Sequence, residues 1–134
     1  MINTPLVQTA LPTLLAVGFG GALGAVARYL ISVWTIQRFS TGFPLGTLLV
    51  NAIGALFIGI LFVFISERAI IAAQWRPLLV VGLLGSLTTF STFSIETVAM
   101  LQQGQWISAI AYIVSSVIIC LALTWAGIEL ARLI

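Results

Sequence analysis

The chain has 134 residues, of which 61% are apolar and only 6% are charged, and its mean hydropathy is +1.24. This composition offers too little polar surface to cover a water-soluble globule, so the lipid bilayer is the predicted solvent. The formal net charge of +2 comes from arginines that are scattered singly along the chain, which excludes a basic patch for nucleic acid.

Four apolar stretches predict four transmembrane helices in a single all-α domain. They cover residues 11–34, 43–65, 77–101 and 106–128. Each reaches the roughly 20 residues that an α-helix needs to cross the hydrocarbon core. Residues 1–12 lack a basic start and a cleavage pattern, so the first stretch is predicted to be a retained helix.

The few charges give only a weak indication of orientation. Four crossings place both termini on one side, together with Arg68, Arg76 and Arg132. The other side has Arg38, and also Arg28 if its side chain snorkels toward that end of the first helix. Either insertion, or both, is compatible with this distribution.

Small residues recur at helical spacing in the first two helices. Gly20 and Gly24 form a GxxxG pair, and Ala55 and Gly59 form a related pair in the second helix. Close helix packing is favoured over a subunit interface. No long internal repeat is visible, so a symmetric pore would need a second copy of the chain.

Catalytic chemistry is almost absent from the sequence. There is no histidine, no paired carboxylate on one helix face, no Cys/His cluster and no phosphate loop, so an enzyme is not expected. The single cysteine, Cys120, excludes an intrachain disulfide and is interpreted as a buried structural thiol.

One face of the second helix is polar. Thr47, Asn51 and Gly54 share this face at spacings of four and three. Asn51 is the only amide side chain deep in any of the four stretches. It can join two helices or donate to a passing anion, and both interpretations remain open.

The third helix is predicted to break near its centre. Two glycines precede a run of hydroxyl residues between Thr88 and Ser94, and both residue types weaken a helix. Irregular backbone at this depth must pack against protein or line an aqueous cavity, where its free carbonyls can bind a cation. Phe90 and Phe93 share a face and could present ring edges to an anion, although simple packing is the commoner role of such a pair.

Further polar groups lie in the fourth, first and third stretches. Ser108, Tyr112 and Ser116 follow one another at intervals of four and predict a polar stripe, although serines can also bond to their own helix. Arg28 and Glu96 are intramembrane charges near predicted helix ends, and they are interpreted as structural or vestibule groups.

Three segments resemble the Fluc (CrcB) family of fluoride channels, and the resemblance covers nearly the whole chain. They are GGALGAVARY at 20–29, GTLLVNAIG at 46–54 and GSLTTFSTFS at 85–94, of which the last is the most specific. The resemblance implies passive export of fluoride across the bacterial inner membrane. It also implies a homodimer of two oppositely inserted subunits that share two pores.

The resemblance also implies roles for individual residues. Arg28 would lie at the pore vestibule, and the backbone carbonyls of Gly85 and Thr88 would bind a structural sodium ion. The expected fluoride path is formed by Asn51, Thr89, Phe90, Ser91, Phe93, Tyr112 and Ser116.

Two residues depart from the family pattern. Ser86 stands where many members have a second glycine. Cys120 follows Ser116 at the next interval of four, and because a thiol is a weaker donor than a hydroxyl, this favours an end of the polar stripe at Ser116.

Two other functions are compatible with four short helices. A proton-coupled small multidrug exporter needs a carboxylate midway along its first helix, whereas this helix carries Arg28 and no acid. In a non-conducting membrane assembly protein, the polar run of the third helix would serve only helix packing.

Overall fold

The structure of the chain is a computed structural model that describes residues 5–39 and 41–134, with side chains from residue 10 onward. These residues form α-helices and shorter helical segments joined by brief connections. The α-helices are α1 (Pro5–Arg38), α2 (Leu45–Phe62), α3 (Gly85–Leu87), α4 (Phe90–Gln102) and α5 (Trp106–Leu133). Two π-helical segments, Val63–Glu67 and Pro77–Leu84, continue α2 and precede α3, and Ala73–Trp75 forms a 3₁₀ turn.

Four helical spans in the described residues are long and apolar enough to cross a membrane. They are Ala10–Arg38, Leu45–Glu67, Ala73–Gln102 and Trp106–Leu133. The prediction of an all-α membrane protein with four such helices is therefore confirmed. The first helix continues beyond the apolar stretch at residues 11–34 in both directions.

The glycine pair of α1 allows the π-helical segment Pro77–Leu84 to approach closely. A Cβ atom on Gly20 would collide with the Leu78 carbonyl oxygen, and one on Gly24 would collide with the Leu83 carbonyl oxygen. Gly82 faces α1 in the same way. The GxxxG pair thus mediates packing inside one chain, because only hydrogen atoms fit between the two backbones.

A second close approach joins α2 to α5. A Cβ atom on Gly59 would meet the Thr124 carbonyl oxygen, and one on Gly127 would meet the Leu56 carbonyl oxygen. Each helix therefore places a glycine against the backbone of the other. This packing brings the polar face of α2 next to that of α5.

Charged residues tie the end of the second span to the end of the fourth. Arg132 binds Glu67 through two hydrogen bonds of 2.6 and 3.0 Å and also contacts Glu129 at 3.0 Å. Arg68 donates to the Arg132 carbonyl. The loop after the second span and the C-terminal end of α5 therefore lie at the same end of the bundle.

Gly24→Ala is expected to destabilise the protein, whereas Gly18→Ala is not. The first substitution overpacks the contact with Leu83, at a cost of about 1–3 kcal/mol. Gly18 has no atom within 4 Å of the position of an added Cβ, so alanine there should be neutral or stabilising by about 0.5–1 kcal/mol. The midpoint of thermal unfolding in detergent distinguishes them, and equal midpoints would contradict the packing described.

Candidate functional site

Two consecutive threonines of the third span lie between α3 and α4. Thr88 has φ −80° and ψ 154°, and Thr89 has φ −152° and ψ 114°, so both have extended backbone conformations between α3 and α4. In an uninterrupted α-helix the Thr89 N–H would donate to the Gly85 carbonyl. It donates instead to Asn51 Oδ1 of α2 at 2.8 Å.

The Asn51 side chain bonds to both backbone groups of Thr89. Its Nδ2 donates to the Thr89 carbonyl at 3.2 Å, while its Oδ1 accepts from the Thr89 N–H. Because a backbone N–H can only donate, this pair also fixes which end of the amide is the nitrogen. Asn51 thus supplies hydrogen-bond partners to both backbone groups of a residue with an extended conformation.

Threonine hydroxyls complete the local structure around these residues. Thr89 caps α4, since its Oγ1 accepts from the Thr92 N–H at 3.2 Å. The same oxygen bonds to the hydroxyls of Thr92 at 2.9 Å and Ser91 at 3.2 Å. Thr88 Oγ1 donates to the Leu84 carbonyl at 2.9 Å. The hydroxyl-rich sequence therefore ends one helix and begins the next.

The predicted polar face of α2 is turned toward the third span. Thr47 donates to Glu96 Oε1 at 2.9 Å, Asn51 binds Thr89, and Gly54 packs against the Thr88 methyl group. All three residues therefore contact the segment that carries the predicted break. In this chain Asn51 joins two helical spans, which is one of the two roles that the sequence left open for it. The other role, donation to an anion, is compatible with this contact.

An open cavity of about 540 Å³ adjoins these two threonines, and we call it the groove. It is lined by Asn51, Gly54, Ala55, Ile58, Val80, Leu84, Gly85, Thr88, Thr89, Phe90, Phe93, Ser116, Val117, Cys120, Leu121 and Thr124. Five residues of the expected fluoride path are among them: Asn51, Thr89, Phe90, Phe93 and Ser116. Gly85 and Thr88, expected at the sodium site, line the groove too.

Ser116 lines the groove, and its buried hydroxyl is unsatisfied among the described residues. The residue is only 8% exposed, and its Oγ has no hydrogen-bond partner within the described part of the chain. An unpaired buried hydroxyl costs free energy, so such a group usually has a water or a ligand as its partner. Phe90 lines the same groove with 78% of its surface exposed.

Two residues of the expected fluoride path lie outside the groove. Tyr112 is fully buried and donates to Glu96 Oε2 at 2.8 Å. Ser91 is exposed and bonds to Thr89. Arg28, expected at the vestibule, is half-buried and lines neither the groove nor the smaller cavity beside Glu96.

The sequence did not define the role of Glu96 in the site. Its two carboxylate oxygens accept from Thr47 and Tyr112, which belong to α2 and α5. Among the residues that the structure describes, no arginine forms an ion pair with it. The sequence shows that a carboxylate lies within a membrane-spanning segment, which marks it as a candidate functional residue. It does not show the two hydrogen-bond donors, because they belong to other helices.

Glu96 also lines a smaller cavity of about 230 Å³ at the end of α1. The hydroxyl residues around that cavity are Ser32, Thr35, Thr41, Thr47 and Thr92.

Four aromatic rings form a continuous series beside the groove. The ring centroids of Phe90 and Phe93 are 5.4 Å apart, and those of Phe93 and Tyr112 are 5.0 Å apart. Phe43, which the sequence did not single out, contacts Tyr112 edge to face at 5.4 Å. The series links the exposed Phe90 to the buried Tyr112, so the position of each ring depends on its neighbour.

Comparison with known proteins covers the region that contains all of these residues. Residues 15–128 match the family model described as CrcB-like protein, Camphor Resistance (CrcB). The chain belongs to the CrcB family. Every residue discussed above from Arg28 to Thr124 lies within the matched part of this CrcB chain.

Individual relatives match over nearly their full lengths. A protein of Geobacter metallireducens is 46% identical over 120 residues, which are 90% of this chain and 97% of the relative. One of Hahella chejuensis is 47% identical over 125 residues, covering 93% and 98%. One of Rhizobium meliloti is 45% identical over 119 residues, covering 89% and 95%. Each of these relatives is named fluoride-specific ion channel FluC.

Thr89→Ala is expected to destabilise this CrcB protein more than Ser94→Ala. Thr89 caps α4 and bonds to two other hydroxyls, and loss of a threonine cap costs about 0.5–2 kcal/mol. Ser94 donates only to the Phe90 carbonyl of its own helix. The midpoint of thermal unfolding of both variants is measured in the same detergent. A larger decrease in the midpoint for Ser94→Ala than for Thr89→Ala would refute the capping role.

Proposed function

We propose that this chain forms a fluoride-selective passive ion channel and is not an enzyme. Its family membership and its relatives, each named as a fluoride-specific channel over almost the same length, support this function. The structural observation that carries the proposal is Ser116, whose buried hydroxyl has no partner among the described residues and which lines one groove together with Asn51 and two phenylalanines.

The lining of the groove suits a small and strongly hydrated anion. A selective pore must replace much of the hydration shell with hydrogen-bond donors, without a fixed positive charge that would trap the ion. Ser116 has a free hydroxyl, and the Asn51 amide has a second hydrogen beyond the one given to Thr89. Phe90 and Phe93 can add the positive edges of their rings.

The fluoride path is proposed to follow the groove past Asn51, Thr89, Phe90, Phe93 and Ser116. Tyr112 and Ser91 remain predicted members of that path. In the single chain, Tyr112 contacts Phe93 and Ser91 bonds to Thr89, so both can influence residues that line the groove. Arg28 is retained as the predicted vestibule residue.

The working unit is proposed to be an antiparallel homodimer with two pores. In one chain the groove is open, and it is lined by the exposed residues Phe90 and Gly85 and by Ser116, whose hydroxyl is unpaired among the described residues. Polar groups left facing hydrocarbon are costly, so a second protein surface is expected to cover them. The weak asymmetry of the arginines permits the second copy to insert in the opposite direction.

A structural sodium ion is proposed to bind the backbone carbonyls of Gly85 and Thr88. The donor set fits this hard cation, because the Gly85 carbonyl no longer receives the Thr89 N–H and both residues line the groove. Bound there, sodium would supply positive charge to the carbonyls of the proposed break in the third helix. The third span would then remain broken in the bilayer, in two halves joined through Thr88 and Thr89.

The protein is proposed to be a multi-pass protein of the bacterial inner membrane. Its four membrane-length helices and its bacterial relatives support this location. Fluoride enters an acidified cell as neutral HF and ionises in the more alkaline cytoplasm. A passive channel there lets the trapped anion leave down its gradient.

Two alternatives explain the structure less well. A small multidrug exporter needs a carboxylate in its substrate site, and no acidic residue is found among the described residues that line the groove. A non-conducting assembly protein would use its polar groups for packing. The Ser116 hydroxyl does not do so within the described part of the chain.

Purified protein in liposomes is expected to release fluoride and retain chloride. Liposomes loaded with either potassium salt are diluted, valinomycin is added to carry compensating potassium, and an ion-selective electrode follows each anion. Trapped fluoride, or chloride that leaves equally fast, would rule out a selective fluoride channel.

Ser116→Ala provides the matched test of the proposed path in the same assay. It removes a hydroxyl that has no partner among the described residues, so the fold should be unaffected. A hydrogen bond to an ion is worth about 1.5–3 kcal/mol, which predicts fluoride flux slowed about tenfold or more. Asn51→Ala and Phe93→Ala should also slow flux, whereas Ile118→Ala on the outer face of α5, 61% exposed, should not.

Antiparallel assembly predicts that a C-terminal tag is accessible from both faces of the membrane. In right-side-out membrane vesicles, protease should remove part of the tag, and permeabilisation should expose the remainder. Cross-linking of the same sample should yield a dimer. If the tag were completely protected, or completely removed, before permeabilisation, dual insertion would be excluded. The flux measurement would not be affected by this result.

A further inference from the structure

The groove continues along α5 beyond Ser116. Cys120 and Thr124 follow Ser116 at intervals of four, and all three residues line the same cavity. Residues at this spacing lie on one helix face. The sequence favoured an end of the polar stripe at Ser116, but the cavity wall extends for two more helical turns.

Cys120 lies beside a group that needs a ligand. Its thiol is free and half-buried. One turn away, Ser116 is 8% exposed and its hydroxyl lacks a partner among the residues described, although it lines the groove. A water or ion that satisfies Ser116 from the groove therefore occupies space next to Cys120.

We propose that Cys120 lines the ion path and is the site at which a soft, thiophilic metal cation blocks the channel. This inference rests on the proposed fluoride function. A silver ion is the simplest probe of this class, because soft metals prefer sulfur ligands. Cys120 is the only cysteine of the chain.

The reaction with silver is a proton displacement. The S–H bond of Cys120 breaks heterolytically, a sulfur–silver bond forms, and the proton passes to the buffer, without any change of oxidation state. The neutral thiol thereby becomes a fixed metal site in the groove. The silver thiolate carries no net charge, as the thiol did not, so the metal acts by narrowing the path.

Silver should stop fluoride efflux through the wild-type channel and spare the Cys120→Ser variant. The assay uses chloride-free liposomes, with silver nitrate added outside after basal fluoride flux has been recorded. We expect wild-type flux to fall about tenfold or more when the path is occupied. Each flux in silver is compared with that of the same variant before silver, and Cys120→Ser should keep its own flux because a hydroxyl is not a soft ligand.

Two double variants locate the effect on the helix. Thr124→Cys combined with Cys120→Ser returns a thiol to the groove one turn further on, and it should regain sensitivity to silver. Ile118→Cys combined with Cys120→Ser places the thiol on the 61% exposed face outside the groove, and it should remain resistant. If Cys120→Ser does not fold, Cys120→Ala serves as the resistant background.

Titration of the free thiol in the same liposomes separates the outcomes. Wild-type flux that persists after the thiol has reacted would place Cys120 outside the path, and a thiol that does not react would show that silver cannot reach it. Equal sensitivity of Cys120→Ser, or of the Ile118→Cys double variant, would also overturn the proposal. In each case the sensitivity to silver is judged against the basal fluoride flux of the same protein, whereas absence of any basal flux in the wild type would reject the proposed function itself.

Discussion

The paired hydrogen bonds between the Asn51 amide and the Thr89 backbone are the interaction on which the site depends. Extended backbone inside a membrane-spanning segment leaves donors and acceptors that lipid cannot satisfy. Asn51 supplies one partner of each kind, at 2.8 and 3.2 Å. Thr89 can then adopt an extended backbone conformation and cap α4, and the phenylalanines that follow are held beside the groove.

Close backbone packing puts this interaction in place. Gly20 and Gly24 admit the segment Pro77–Leu84 against α1, and Gly59 and Gly127 join α2 to α5. Larger side chains at these positions would push the helices apart, and hydrogen bonds of about 3 Å between spans tolerate little displacement. The glycines therefore act on the site through the distances between helices rather than through contact with an ion.

The distribution of satisfied and unsatisfied polar groups separates structural roles from proposed functional ones. Thr47 and Tyr112 both donate to Glu96, so these three residues join three spans, and both hydroxyl hydrogens are engaged within one chain. Ser116 has no such partner among the described residues and lines the groove. Open on one side, the groove is a surface that the proposed second subunit would complete, which explains why one chain holds only part of the proposed path.

The sequence by itself determined the four apolar spans, the all-α class, the polar face of α2 and the family, because hydropathy, helical spacing and the motif around Phe90 are local properties of the chain. Tertiary structure alone decided that Asn51 bonds to Thr89, that Glu96 joins Thr47 to Tyr112, and that Cys120 and Thr124 extend the groove. These contacts join residues far apart in the chain, and helical periodicity specifies which face a side chain occupies but not which helix it meets. Glu96 is the clearest case: its carboxylate was visible in the sequence, whereas both of its hydrogen-bond donors come from other spans.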